Sequence, residues 1–190
     1  LQEGSYWVSE PLTEKAPMVE TAGSVTAPAD LTVIPVGKLD GVEERGGVRV
    51  WRYSAQSQAG EMALYAGRYE MKTLMVDGTR VELYYSPRHR EYIESSGLVD
   101  YLQRIVKYYQ ENIGAYPFSE YPLKIVETSI YKPGGHSTLN LVSAAESMFN
   151  RRETAADPAV MTLVHDLSII AHEIAHQWWG SGAAVELDTP

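Results

Sequence analysis

The chain has 190 residues, 44% hydrophobic, 22% charged and 10% aromatic, the balance of a globular protein rather than a disordered or fibrous one. Its net charge of −9 argues against nonspecific nucleic-acid binding and against docking on anionic lipid. It has no cysteine, which excludes disulfides and thiolate metal sites, and no run reaches the roughly 18 apolar residues of a membrane span.

The opening LQEGSYWVSE lacks Met, a basic n-region and an apolar h-region, so a processed or excised piece of a longer polypeptide is expected. From there to about residue 90 the chain reads as β-rich. The runs at 31–37 (LTVIPVG), 48–53 (VRVWRY), 61–71 (EMALYAGRYEM) and 79–86 (TRVELYYS) are rich in Val, Tyr, Ile, Thr and Trp. LDGVEERGG, SQAG and VDGT separate them as turns, and Asp77-Gly78 between two alternating runs predicts a hairpin. The polar segment 87–96 (PRHREYIESS) marks the expected domain boundary near residue 90, with His89 expected on the surface.

Beyond it the period lengthens. Leu98, Val99, Leu102, Ile105, Val106, Tyr109 and Ile113 recur at helical spacing, with Ser96 as the expected N-cap and Gly114 as the stop. GAYPFSEYP reads as a turn-rich connection, 122–130 (PLKIVETSI) as a strand, and KPGG as a break before the short apolar stretch STLNLVS. A last helix is expected from Pro158 to residue 179, capped by Asp157 and ended at Gly180, about 33 Å long and largely apolar. The fold class is therefore α+β: a β-rich portion over 1–90, then a mixed layer over 91–190 built around a buried helix.

That helix carries His172-Glu173-Ile174-Ala175-His176. Positions four apart share a helix face, so the two imidazoles can meet on one cation, with Glu173 beside them to take a proton from a water. This is the spacing of a zinc hydrolase: His172 and His176 as metal ligands and Glu173 as general base. A composition with 18 Glu and 5 His produces it by chance in about one chain in a hundred, and here it falls inside an independently expected helix. His165 lies about 10.5 Å along the axis from His172, too far to share the ion. Six residues after His176 stands Gly182, where a third histidine would be needed for one class of such enzymes, and Glu186 and Asp188 are the only carboxylates that follow the motif.

HEIAHQWWG (172–180) resembles the His-Glu-x-x-His-Gln-Trp-aromatic-Gly signature of the alanyl and puromycin-sensitive aminopeptidases, which are zinc peptidases of the gluzincin kind. YYQENIGAYPFSEYPLKIVE and AGEMALYAGRYE are also similar to that family's segments ahead of its substrate edge and at the end of its N-terminal domain, so the resemblance covers most of 20–182. It implies a saddle-like β domain leading into a thermolysin-like catalytic domain, one zinc, and a peptide substrate cleaved at its N-terminal residue. It implies a third ligand, a glutamate, at what would be position 195, beyond Pro190. The chain departs from the family at its Gly-x-Met-Glu-Asn motif: in GGHSTLN, His136-Ser137-Thr138 replace Met-Glu-Asn, removing the carboxylate that would hold the substrate's α-ammonium.

The expected function is zinc-dependent peptide hydrolysis, with Gly134, Gly135, His136 and Ser137 as a substrate-side edge that binds a peptide by β-augmentation. The chain by itself is expected to be inactive or weak, and an apolar face left bare would favour self-association. The alternative is a non-catalytic peptide-binding or assembly module derived from such an enzyme.

Overall fold

The computed structural model describes residues 19–57, 63–129, 134–149 and 158–179, with only the backbone for 158–166. The chain is mixed α+β and strand-rich, with three sheets among the described residues. A three-stranded antiparallel sheet runs in the order β1 (Val19–Pro28), β4 (Val48–Ser57), β3 (Lys38–Arg45). A two-stranded ladder joins β2 (Thr32–Pro35) to β5 (Leu64–Gly67). A five-stranded sheet is ordered β6 (Glu70–Val76), β7 (Thr79–Tyr85), β8 (Leu123–Thr128), β10 (Leu141–Ala145), β9 (Gly135–Thr138).

The outer pairs of this last sheet are antiparallel, but β7, β8 and β10 run parallel. Parallel neighbours need a crossover, which the segment 87–122 supplies between β7 and β8. It holds a 3-10 turn at Pro87–His89 and the helices α1 (Arg90–Ser95) and α2 (Leu98–Asn112). Because β6 and β7 share a sheet with β8, that sheet runs continuously across residue 90. All residues of β8 and β10 are buried, as expected of central strands covered on both faces. Leu98, Leu102 and Val106, one helical turn apart, bury one face of α2 in the principal core with Val81, Leu83, Ile125, Val142, Phe149, Ile170 and Ile174.

Asp77-Gly78 does form the hairpin, with Asp77 at φ 43° and Gly78 at φ 87°, both positive as a two-residue I′ turn requires. LDGVEERGG is a correction. Most of it is strand β3, and only Gly46-Gly47, also at positive φ, makes the turn into β4. Its charged residues mislead because one side of this small sheet faces solvent, where Glu43 pairs with Arg45 and Arg52. Gly97 in the left-handed region, not Ser96, is the N-cap of α2; the Ser96 hydroxyl still accepts the Leu98 N–H at 3.3 Å.

Two buried polar side chains hold the N-terminal strands to the main sheet. Lys124 of β8 donates to the carbonyls of Pro35 (2.6 Å) and Gly37 (2.7 Å). Asn140 accepts the Gly37 N–H at 2.6 Å and donates to the Gly37 and Pro122 carbonyls. Around them Ile34, Val36, Ala55, Val126, Leu139 and Leu141 form a second core.

The last helix, α3, runs Pro158–Ala175, and its expected caps Asp157 and Gly180 lie outside the described residues. It is four residues shorter than the sequence suggests. From Gln177 the backbone bonds tighten to a three-residue step, Gln177 to Ile174 and Trp178 to Ala175, so the chain continues as turns through Trp179.

Candidate metal centre

Helix α3 is fastened to α2 by phenols. The Tyr101 hydroxyl donates to the Leu167 carbonyl at 2.9 Å and the Tyr109 hydroxyl to the Ala171 carbonyl at 3.0 Å, one helical turn further on. The Tyr109 ring packs against Trp178 and Trp179 with centroids 5.3 and 6.2 Å away. Trp178, buried, also meets Tyr116 and donates its indole N–H to the Gly114 carbonyl at 2.9 Å. These contacts fix the end of α3, where the motif sits.

His172 is exposed, His176 half-buried and Glu173 buried. The two imidazole Nε2 atoms lie 3.1 Å apart, with the rings nearly perpendicular at 86°. Two ligands on a tetrahedral zinc, each about 2.0–2.1 Å from it, stand about 3.3 Å apart. The spacing of the pair is close to that of two ligands on one ion. His176 has its tautomer set from the far side: Nδ1–H donates to the Trp179 carbonyl at 3.2 Å, which leaves a lone pair on Nε2. That lone pair faces His172 Nε2, which can either donate an N–H to it or share a cation with it.

The strand expected as the substrate edge is β9, at the outer margin of the five-stranded sheet and, among the described residues, paired only with β10. It lies against α3. A Cβ placed on Gly135 would come within 2.5 Å of Glu173 Cγ and 2.9 Å of the Ser143 carbonyl oxygen. Glycine here is what lets the strand and the glutamate stem approach. Two residues on, Gln177 donates to the Ser137 hydroxyl at 2.6 Å and to the Thr138 carbonyl at 3.0 Å, tying the edge to the end of the helix. The structure thus brings Gly135 and Ser137 to the motif. His136 is exposed and, by strand alternation, on the other face of β9, while the Ser143 hydroxyl donates to its carbonyl at 3.2 Å. Gly134 precedes the strand, and its carbonyl accepts the Ala145 N–H at 3.0 Å.

The side chain of His165, and Glu186 and Asp188, lie outside the described residues. The roles of Gln177, Trp178 and Tyr109 were not evident from the sequence, although the Gln-Trp-Trp run after the second histidine was their one signal.

His89 requires a correction. It is not a surface residue but 3% exposed, and its Nδ1 lies 2.8 Å from Glu127 Oε1. A buried carboxylate on β8, which sequence alone does not locate, draws it inward. Comparison with protein-family models and with curated proteins gives no match. Among the described residues, no helix is long and apolar enough to cross a membrane.

Proposed function

We propose that this chain carries the two-histidine part of a zinc peptidase centre of the gluzincin, aminopeptidase-like kind. His172 and His176 would be the metal ligands, Glu173 the general base, and the Gly134–Ser137 segment the substrate edge. In this reading the N-terminal strands belong to a saddle-like β domain, and the five-stranded sheet with α3 begins a thermolysin-like catalytic domain. The observation that carries it is the 3.1 Å spacing of the two Nε2 atoms, with Glu173 on the same turn and packed against an edge strand.

A zinc ion held there would acidify a water and polarise the peptide carbonyl. Glu173 would take the proton of that water and return it to the departing amine. The outer margin of β9 would align a peptide through backbone hydrogen bonds, with no side chain required. His136-Ser137-Thr138 offer no carboxylate to an α-ammonium, which favours recognition of a peptide's backbone over its terminus. Two imidazoles bind zinc less tightly than three donors, so a third donor would strengthen the site.

The test is zinc binding followed against a chromophoric chelator, with hydrolysis of internally quenched peptides. One equivalent of zinc should be lost in His172→Ala and in His176→Ala. Glu173→Gln should keep the metal and lose whatever hydrolysis there is. If neither histidine variant changes zinc binding, the proposal fails. If zinc binds but the peptide is held uncleaved, the chain is a binding module built on the same edge.

A further inference from the structure

The three parallel strands of the main sheet end at one place. His89 follows the end of β7 by four residues, Glu127 is the penultimate residue of β8, and Glu146 comes directly after β10. The carboxyl ends of parallel strands are where open α/β sheets place their ligands. One ligand-type atom from each of these three side chains lies within 4.8 Å of the others.

Glu127, 5% exposed at its side chain, is already satisfied. Its Oε1 faces His89 Nδ1 at 2.8 Å, and its Oε2 accepts the Ser86 N–H at 2.8 Å. A carboxylate can only accept, so Nδ1 carries a proton; in the neutral ring, the form that binds metals, Nε2 then offers a lone pair. That Nε2 is buried and has no hydrogen-bond partner, and Glu146 Oε1 lies 3.8 Å from it. Between this buried nitrogen and the carboxylate the favoured occupant is positive, either a proton on Nε2 or a cation bound by both. Histidines that bind metals usually donate their other ring N–H to a carboxylate, which is the role Glu127 fills.

We infer that His89 Nε2 and Glu146 Oε1 form a second site for a divalent cation, separate from the pair on α3. Imidazole together with carboxylate suits zinc and its transition-metal neighbours better than calcium or magnesium, which take oxygen ligands. The present separation of 3.8 Å exceeds the roughly 3.3 Å of a tetrahedral zinc pair. Glu146 is 21% exposed at the start of a 3-10 turn (Glu146–Met148), so it can close that gap, and water can complete the coordination from the same side. Arg88 is the competitor. Its guanidinium lies 2.7 Å from the same Glu146 oxygen, on a side chain 65% exposed and free to swing into solvent.

The competition gives the test a sign. In the full chain carrying His172→Ala and His176→Ala, zinc is titrated against a chromophoric chelator while circular dichroism monitors the fold. One equivalent should still bind. Adding Glu146→Gln should weaken it by about tenfold or more, and adding Arg88→Ala should tighten it severalfold. Glu146 is preferred to His89 for the loss variant because it lies nearer the surface. Failure of the folded double variant to bind zinc would overturn the inference. So would unchanged binding in Glu146→Gln, which would mean adventitious surface zinc, or weaker binding in Arg88→Ala. Because the α3 pair is deleted throughout, none of these outcomes bears on the proposed peptidase centre.

Discussion

His172 and His89 meet opposite surroundings in the same chain. His172 is exposed and faces His176 one helical turn away, so its neighbourhood is set by four residues of sequence. His89 is 3% exposed and faces carboxylates 38 and 57 residues further on, gathered where three parallel strands end. A helix can present a ligand pair without burying it, and removing either member leaves the fold alone. A strand-end cluster must be buried to form, and its ligands also serve as structural partners. The two histidines should therefore fail in different ways when removed.

The largest effect should come from His89→Ala, which leaves the Glu127 carboxylate buried with only the Ser86 N–H. Unpairing a buried ionised group costs about 3 kcal/mol, to be read as a fall in the urea midpoint. His172→Ala should change stability by no more than about 0.5 kcal/mol while abolishing zinc binding at the helix pair. Equal stability losses in the two variants would erase the contrast.

Gly135→Ala tests the helix pair from the strand side. A Cβ there meets both the stem of Glu173 and a backbone oxygen, and only the first can swing away. Overpacking of this kind costs up to about 3 kcal/mol. The displaced Glu173 should lower hydrolysis further than the stability loss explains, while zinc affinity stays near wild type because neither histidine moves. Intact hydrolysis in a folded Gly135→Ala would show that Glu173 does not need its present position.

The helix pair was legible in the sequence because its geometry is local: a period of 3.6 residues turns His-Glu-x-x-His into a shared face. The hairpin at Asp77-Gly78 and the helix from Leu98 were legible for the same reason. Strand β3 was not, because Lys38, Asp40, Glu43 and Glu44 lie on a sheet with an open face and resemble loop residues in isolation. His89, Glu127 and Lys124 were hidden more deeply. β8 reads as a plain hydrophobic strand, yet all six of its residues are buried, two of them charged, and their partners come from distant segments. No periodicity records which carbonyl or imidazole will arrive opposite a buried charge.

Lys124 extends the comparison to pH. Burial lowers its pKa from 10.5 to about 8, against the opposing pull of Glu82. The folded-state value lies below the unfolded one, so between about pH 8 and 10.5 the unfolded chain binds more protons and stability rises with pH. The gain approaches about 1.4 kcal/mol per pH unit in that window. Urea midpoints at pH 8 and 9.5 should therefore rise in the wild type relative to Lys124→Met, which lacks the titrating group. A parallel response of the two proteins would mean that Lys124 stays charged throughout, held by the Pro35 and Gly37 carbonyls.

The smallest effect is expected in Tyr109→Phe, which removes one hydroxyl of α2 that donates to the helix carrying His172. The Ala171 carbonyl it reaches lies in helix α3 and is also placed to accept an intrahelical bond, so the loss should be about 1 kcal/mol or less. The ring contacts to Trp178 and Trp179 do not need the hydroxyl, and through Trp179 they hold the carbonyl that receives His176 Nδ1–H. Zinc affinity in Tyr109→Phe should accordingly match the wild type, whereas Tyr109→Ala should loosen Trp179 and weaken the metal. If the phenylalanine variant alone lowers zinc affinity tenfold, the pair is not set by four residues of local geometry. It would then depend on α2 as His89 depends on β8, and the two histidine sites would be alike after all.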